Sequence, residues 1–582
     1  MSRNLAVQGA IALAYVLAMG LVFRTAIFSG FDMGFGERGD AIIEISILEH
    51  WRNVLSGVST WDTTFYFHPY RGTLGYNDGY FLYGLVYAFW RLFADPFQAD
   101  TLNILTVKSI GFAGAYWLVA RTLDWGRATA LFVAVIWTVS SNIWLQAVHA
   151  QLQSVALLPL AMTLAIDIVR AEQAQRNTRA RARAVVLAAL MAAWLLTSYY
   201  MAWFTIFSAC LFVACWSLLT GAWRPRAALT LVRRHAGTLL SGGIAFAVSV
   251  VPFLAVYLPK MRETGGEPFY EMLGYLVTPG IDMINVGAGN YMWGWIFRPL
   301  LALVHAALPQ DPALPGRVLG GEHSAGFPVI LFVLIVTALW TAIRRPEPLA
   351  PSAFSPELRA FALAMAIAWL LTLQFWVLSP WNLVFGVVPG AKGMRVVSRY
   401  QLWLTLPFLL IVAAVWRARA STWARRHPWA AAALITALVA EHLSAETPVR
   451  LSRTVHRAAL WTIPAPPTAC DSFYAVAARV REPLYINAEL HALYPHNVDA
   501  MLLAELWRVP TINGFSTFNP PDWNFATPRG IDYDRRVRAY ARAHALRRLC
   551  RLDIRRRQPW SLPRAGGGPP DVTTHPMPAV DR

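Results

Sequence analysis

The chain has 582 residues, of which 56% are hydrophobic and only 14% are charged, and its net charge is +18 at pH 7. Because soluble globular domains carry about 25% charged residues, this composition excludes a soluble protein and indicates an integral membrane protein with many spans. The excess of basic residues lies mainly in short loops and in the C-terminal region, which favours a role in membrane orientation over nucleic-acid binding.

The first apolar segment, residues 5–24, is long enough to cross a bilayer. Arg3 precedes it, as in a signal peptide, but no small-residue cleavage site follows, so we expect a retained first helix. Ten further segments of spanning length are predicted at residues 101–120, 128–146, 153–169, 185–198, 200–219, 237–258, 326–343, 360–379, 400–416 and 428–443. The predicted fold class is therefore mainly α, a polytopic helical membrane protein of about eleven spans.

Four loops are rich in arginine, and the positive-inside rule places all of them in the cytoplasm. They are residues 170–183, 224–234, 344–345 and 417–426. Two loops on the same side of the membrane are separated by an even number of crossings. The apolar run 185–219 lies between the cytoplasmic loops 170–183 and 224–234, so it must be two helices that turn near Ser198. By the same parity the run 80–93, which contains Arg91, is interfacial or re-entrant rather than a span.

With the N-terminus inside, three larger segments face the opposite compartment: residues 29–100, residues 259–325 and everything after about 444. We predict a transmembrane domain at 1–443 with amphipathic juxtamembrane helices, a small soluble α/β domain at 444–560 and a disordered tail at 561–582.

Turn signals, a β-like run at 482–487 and two helix-like stretches at 498–508 and 532–550 favour the α/β assignment for the C-terminal domain. Cys470 and Cys550 both fall in this region, and a disulfide between them remains open if the region is periplasmic. Cys210 and Cys215 lie in an apolar run and are expected to be inert.

Residues 34–51, GFGERGDAIIEISILEHW, begin the first outer segment and concentrate its carboxylates. Isoleucines alternate with acidic residues there, which predicts an amphipathic helix at the membrane surface. Asp40 lies at the edge of this pattern, where an aspartate can cap a helix. Capping would account for Asp40 but not for the neighbouring Glu37, so a chemical role for the pair stays open.

Aromatic and polar residues alternate in residues 61–80, where Asp62, His68 and Asp78 stand among tyrosines and a tryptophan. Aromatic faces that stack on sugar rings, with carboxylates that accept hydroxyl hydrogen bonds, would form a sugar-binding surface. An interfacial aromatic belt explains the same composition. Both interpretations remain open.

The outer loop 389–400, PGAKGMRVVSRY, carries Lys392, Arg395 and Arg399 on the side where positive charge is least favoured. A guanidinium binds phosphate oxygens through two parallel hydrogen bonds, so this loop is a candidate phosphate site. The alternative is that these side chains only snorkel at the interface. His149, in another outer turn, is either a member of the same cavity or an interfacial hydrogen-bonding residue.

Together these features resemble the GT-C superfamily of membrane glycosyltransferases, whose members have an acidic motif in the first outer loop and a C-terminal periplasmic domain. The resemblance is strongest to uncharacterised bacterial multi-pass members. The residues that carry it are Gly39, Asp40, Leu48 to Trp51, Gly57, Trp61, Asp62, Phe65, His68, Pro69, Tyr76 to Asp78, TSYYMAWF (197–204), VVSRYQLW (396–403) and NGFSTFNPPDW (513–523).

The resemblance implies an inverting glycosyltransferase of the bacterial inner membrane, with its active site and C-terminal domain in the periplasm. Its donor would be a polyprenyl-phosphate sugar in the lipid bilayer, and its acceptor a glycan, a lipid or a protein. Asp40 would be the base, and Glu37 would orient the acceptor or help bind a divalent metal, whose requirement stays open. No nucleic-acid partner is expected.

The substrate-binding residues expected on this basis are Asp62, His68, Asp78, His149, Lys392, Arg395 and Arg399. Two other functions stay open. One is a transporter or flippase of a lipid-linked or anionic glycan, although the spans contain few ionisable residues and no internal repeat is evident. The other is a non-catalytic scaffold of the cell envelope.

Overall fold

The computed structural model describes residues 2–265, 275–307, 319–344, 356–376, 378–476, 488–516, 518–525 and 532–562. The described part is mainly helical. Its α-helices are α1 Ser2–Val22, α2 Arg24–Phe28, α3 Arg38–Leu55, α4 Phe81–Trp90, α5 Pro96–Trp117, α6 Arg127–Val139, α7 Ser141–Trp144, α8 Leu158–Gln173, α9 Asn177–Thr197, α10 Tyr199–Thr220, α11 Pro225–Arg234, α12 Ala236–Ser249, α13 Val251–Thr264, α14 Gly294–Ala307, α15 Val329–Arg344, α16 Pro356–Leu371, α17 Trp381–Val387, α18 Tyr400–Arg426, α19 Pro428–Ala440, α20 Arg453–Leu460, α21 Ala488–Trp507 and α22 Tyr533–Ala543.

Two small sheets accompany the helices. Strand β1 (Met33–Gly34) pairs antiparallel with β2 (Leu451–Ser452), which ties the start of the first outer segment to the C-terminal region. Strand β3 (Ser472–Ala475) runs parallel to β4 (Leu549–Leu552), and β4 pairs antiparallel with β5 (Trp560–Ser561). The β-like run predicted at 482–487 and residues 563–582 of the predicted tail lie outside the described residues.

Six helices in the described ranges are long and apolar enough to cross a membrane, and the number rises to eight if two bent helix pairs each form one span. The predicted count of about eleven is not confirmed. Helix α19, for example, has 13 residues. At 1.5 Å per residue it is about 20 Å long, shorter than the roughly 30 Å hydrocarbon core.

Two predictions made from charge parity agree with the helix boundaries. The run 185–219 is divided between α9 and α10, and Ser198 between them has an extended backbone. The run 80–93 contains the ten-residue helix α4, which is too short to cross the hydrocarbon core.

Helix α18 is the centre of the helical bundle. All residues from Tyr400 to Val415 are buried, and the helix packs against α6, α10, α15 and α16. A helix that is apolar on every side can be stable only when other helices or lipid surround it. The segment that carries the predicted basic residues leads directly into this buried helix and is therefore anchored at its C-terminal end.

A second hydrophobic core is shared between the first outer segment and the C-terminal region. Helix α3 packs between α4 and α21, and it is buried almost throughout rather than exposed on one polar face as the amphipathic pattern predicted. Its polar residues instead meet partners inside the protein. Arg38 Nη2 lies 2.5 Å from Asp499 Oδ2, and Asn53 Nδ2 donates to Glu505 Oε2 at 3.0 Å.

Cys470 and Cys550 form a disulfide in the structure. The bond joins the segment before β3 to strand β4, 80 residues further along the chain, and therefore crosslinks the C-terminal sheet. The pairing that the sequence left open is present. Cys210 and Cys215 are not disulfide-bonded.

Candidate active site

A cavity of about 660 Å³ lies where the outer segments meet. Residues from all three large outer segments predicted from the sequence line this cavity. The short turns that contain His149 and Tyr200 also contribute to its wall. Its polar lining includes Asp40, Glu44, Asp78, Tyr80, His149, Gln151, Tyr199, Tyr200, Lys392, Arg395, Arg399 and Ser516. Its apolar lining includes Ile43, Ile47, Phe253, Leu254, Tyr257, Leu258, Met261, Phe385, Val387, Val388, Phe515 and Phe518.

Four charged or titratable side chains form a chain beside the cavity: Asp40, His149 and Arg399 line it, and Glu322 connects the last two. His149 Nδ1 lies 3.2 Å from Asp40 Oδ2, and His149 Nε2 lies 3.1 Å from Glu322 Oε1. Arg399 donates to both oxygens of Glu322, with its Nε 3.0 Å from Oε2. Acidic and basic groups alternate along this chain, so each charge has an opposite charge beside it.

The surroundings of these groups shift their ionisation. Burial alone would raise the pKa of Asp40, but the hydrogen bond from His149 and the charges of His149 and Arg395 outweigh it and hold the pKa below its usual value. Burial would also raise the pKa of Glu322, and the charge of Arg399 reverses that effect. Burial and Arg399 disfavour the charged form of His149, yet the two carboxylates keep its pKa above the usual value. Each ring nitrogen of His149 has a carboxylate oxygen beside it, and only the doubly protonated imidazolium can donate to both of them.

The turn at Ser198 positions the basic loop. Tyr200 Oη accepts hydrogen bonds from the backbone N–H groups of Arg395 and Val396 at 2.6 and 3.1 Å. Tyr199 Oη donates to the Gly390 carbonyl at 2.7 Å. Gly390 has a φ of +82°, and a Cβ there would lie 2.1 Å from Tyr199 Oη, so the close approach requires glycine.

The three basic residues of this loop differ in their surroundings. Lys392 is exposed and Arg395 is half-buried, and both line the cavity. Arg399 is buried, binds Glu322 through two of its nitrogens and lies over the Tyr200 ring, 5.3 Å from its centroid. The guanidinium of Arg399 is therefore already engaged, whereas Lys392 is exposed.

Of the other residues expected at the site, Asp78 lines the cavity and accepts a hydrogen bond from the Tyr199 backbone N–H at 3.0 Å. Burial raises the pKa of Asp78. Glu37 occupies the N-cap position of α3, while Asp40 lies in the first turn of that helix. The interpretation of Asp40 as the helix cap is therefore wrong.

Asp62 and His68 lie away from the cavity lining. Asp62 Oδ1 accepts a hydrogen bond from the Thr63 hydroxyl at 3.1 Å. The His68 backbone N–H donates to the Thr511 carbonyl at 2.9 Å, and the His68 carbonyl accepts from Tyr540 Oη at 3.0 Å. His68 thus belongs to the contact between the first outer segment and the C-terminal region, whereas the Asp62 carboxylate bonds within the first outer segment.

Sequence reasoning missed Glu44, Glu322 and the C-terminal residues around Ser516. Glu44 is one helical turn beyond Asp40 on α3 and was visible as part of the acidic cluster. Burial raises the pKa of Glu44 well above its usual value, and the neighbouring carboxyl of Asp100 raises it further. Glu322 stands in the predicted outer segment 259–325, but no motif distinguishes it from other loop carboxylates.

No group of three or more His, Cys, Asp or Glu side chains within the described ranges has an arrangement suited to a metal ion.

No protein-family model matches the chain, and neither does any curated protein sequence. The solved structures that align with it include two of ArnT from Cupriavidus metallidurans, one in the apo state and one bound to undecaprenyl phosphate. Each is 13% identical, with a TM-score of 0.35 over 88% of this chain, and the alignments cover 85% and 90% of those chains. A TM-score of this size does not establish a common fold.

Proposed function

We propose that the chain is a membrane glycosyltransferase that moves a sugar from a polyprenyl-phosphate donor to an acceptor in the cell envelope. The observation that carries this proposal is the composition of one cavity, in which the ionised carboxylate of Asp40 and the basic side chains of Lys392 and Arg395 line the same space. A transferase for such a donor needs a base for the acceptor and a cation for the departing phosphate.

The donor phosphate would bind at the basic loop. Lys392 and Arg395 are the best candidates, since both line the cavity, whereas Arg399 already binds Glu322 through two nitrogens. A guanidinium and an ammonium beside a phosphate oxygen stabilise the charge that grows there as the bond to the sugar breaks.

The lipid part of the donor would lie along the apolar wall. Leu254 and Met261 of α13 and Val387 of α17 line the cavity and are 45%, 53% and 71% exposed. Exposed apolar side chains beside a polar pocket are suited to an isoprenoid chain, which buries them without the need for hydrogen bonds. This wall favours a lipid-linked donor over a soluble nucleotide sugar.

The reaction would proceed by attack of the acceptor hydroxyl or amide on the anomeric carbon, from the face opposite the phosphate. A new bond to C1 forms, the bond between C1 and the phosphate oxygen breaks, and the electron pair leaves with polyprenyl phosphate. Asp40 would take the acceptor proton, since its lowered pKa keeps it ionised at neutral pH. Inversion at C1 follows from attack on that face.

A periplasmic orientation in the bacterial inner membrane accounts for the arrangement. Segments that the positive-inside rule assigns to the non-cytoplasmic face converge on one cavity. The disulfide between Cys470 and Cys550 also favours an oxidising compartment. The domain limits 1–443 and 444–560 stay a proposal, because α3 and the C-terminal region share one hydrophobic core.

The test is transfer of labelled sugar from polyprenyl-phosphate donors to endogenous acceptors in proteoliposomes that contain the purified chain. Asp40→Asn preserves the shape of the side chain and should lower the rate of transfer by about 10²- to 10⁴-fold, which is the usual contribution of a general base. Asp62→Asn is the matched control, since Asp62 lies outside the cavity lining, and it should retain transfer. Full transfer by Asp40→Asn would remove that residue from the mechanism.

The same vesicles separate catalysis from transport. A labelled donor that crosses the bilayer intact, with no transfer to any acceptor, would support a flippase and contradict the transferase. Neither movement nor transfer, combined with glycan binding by the chain, would support a scaffold.

A further inference from the structure

Glu322 is shared between two basic groups in the cavity wall. One oxygen accepts from His149 Nε2 at 3.1 Å, and both oxygens accept from Arg399. We propose that Glu322 is the positioning residue of this site: by binding His149 and Arg399 at once, it holds the imidazole of His149 against Asp40. This inference rests on the proposed function, because the contact between His149 and Asp40 affects sugar transfer only if Asp40 is the base.

The turn that carries Glu322 is held firmly in place. Ser398 Oγ donates to the Glu322 carbonyl at 3.0 Å, and Gln146 Nε2 donates to the Gly321 carbonyl at 3.1 Å. His323, the next residue, lies 2.7 Å from Asp282 through its Nδ1. Hydrogen bonds at Gly321, Glu322 and His323 thus fix the backbone that carries the Glu322 carboxylate. A residue that orients other side chains needs such a fixed position.

The geometry also defines the orientation of the imidazole. A hydrogen-bond acceptor lies beside each ring nitrogen of His149, Asp40 from α3 and Glu322 from the turn Gly321–His323. The positive charge of Arg399 opposes a positive charge on that ring. If Glu322 were neutral, Arg399 would remain as an unfavourable neighbour while one of the two favourable carboxylates would be gone.

The expected consequence for catalysis concerns Asp40. A cationic His149 keeps Asp40 ionised and directs the carboxylate oxygen that it contacts. Without Glu322 the imidazole is free to rotate or to lose its charge, and Asp40 then loses its partner. Glu322 would therefore affect turnover through His149 without touching the sugar or the phosphate.

The direct test is titration of His149 by NMR in the full-length chain, labelled with ¹³C and ¹⁵N at histidine and reconstituted in nanodiscs. A His149→Gln sample identifies the signal. In the native sequence, both ring nitrogens should carry protons at pH 7. A neutral imidazole at that pH would overturn the proposal without any need for a Glu322 variant.

Glu322→Gln should lower the pKa of His149 by about one unit or more, the usual effect of removing one opposite charge at this distance. Glu441→Gln is the matched control. Glu441 is also a buried carboxylate and accepts from the Ile330 and Leu331 backbone N–H groups, away from the cavity. An unchanged pKa in Glu322→Gln, or an equal shift in the control, would overturn the proposal.

The titration uses no substrate, so its failure is distinct from failure of the proposed function. In the transfer assay, Glu322→Gln should lower kcat and leave the KM for a polyprenyl-phosphate donor within about threefold, because Lys392 and Arg395 remain in place. Glu322→Asp should recover part of the lost rate. If Glu322→Gln shifts the pKa of His149 but no cavity variant alters transfer, the contact stands and the transferase proposal fails.

Discussion

Glu505 offers a sharp test of how the C-terminal region holds the helix that carries Asp40. Its carboxyl lies on α21 against α3, fully buried, and accepts hydrogen bonds from the Phe65 backbone N–H at 2.9 Å and from Asn53 Nδ2 at 3.0 Å. Burial raises the pKa of Glu505 to about 8, and the nearby charge of Glu49 adds to the effect. His50 lies 3.9 Å away, but burial lowers its pKa to about 4, so it supplies no positive charge at neutral pH.

The sign of the pH dependence follows from these values. In the unfolded chain a glutamate loses its proton near pH 4.3, whereas folded Glu505 keeps its proton to about pH 8. Between these values the folded state binds one more proton than the unfolded state, so stability falls as pH rises. At about 1.4 kcal/mol per pH unit, the loss from pH 5 to pH 8 is about 4 kcal/mol.

Glu505→Gln keeps the shape of the side chain and cannot ionise, so it should be free of this loss. Thermal unfolding followed by fluorescence of the 25 tryptophans, in detergent at pH 5 and pH 8, measures the difference. The variant should unfold at a higher temperature than the native chain at pH 8, and most of that difference should be gone at pH 5, close to the pKa of an unfolded glutamate. Asp532→Asn, an exposed carboxylate of the same region, should behave like the native chain. Parallel curves for Glu505→Gln and the native chain would refute the argument.

Two further predictions concern the supports of the site. Tyr200→Phe removes the hydroxyl that accepts from the Arg395 and Val396 backbone N–H groups. Loss of such an acceptor costs about 1–3 kcal/mol, so binding of polyprenyl phosphate, measured by native mass spectrometry, should weaken by about 5- to 150-fold. Unchanged affinity would separate this loop from the donor. Replacing Cys470 and Cys550 with serine should lower the unfolding temperature, because removal of a native disulfide typically lowers the free energy of unfolding by about 2–5 kcal/mol. If neither the double variant nor a reductant changed the unfolding temperature, a structural role of the disulfide would be contradicted.

The fold could be predicted where charge and apolar length both constrain it. The arginine-rich loops predicted the turn at Ser198 and indicated that α4 is not a span. Loops on the same side of the membrane must be separated by an even number of spans, and this condition links distant parts of the sequence. The number of spans could not be obtained this way. Apolar runs such as 360–379 do not reveal where a helix stops, and α16 ends at Leu371.

The site could be predicted in part. Asp40, Asp78, His149 and the basic loop line one cavity because each lies in a predicted outer segment, next to a helix end. Glu322 could not be found, since its importance depends on a contact with His149 that is distant in sequence. The burial of α3 was missed for a similar reason: its amphipathic pattern indicates two faces but not that protein, rather than water, covers the polar one.

The most direct measurement is a cryo-EM structure of the full-length chain in nanodiscs with polyprenyl phosphate bound. The account predicts phosphate density within hydrogen-bonding distance of Lys392 or Arg395, on the opposite side of the cavity from Asp40, with the isoprenoid chain along Leu254 and Val387. Phosphate bound outside this cavity, or Asp40 and Arg395 on opposite faces of the membrane, would contradict it.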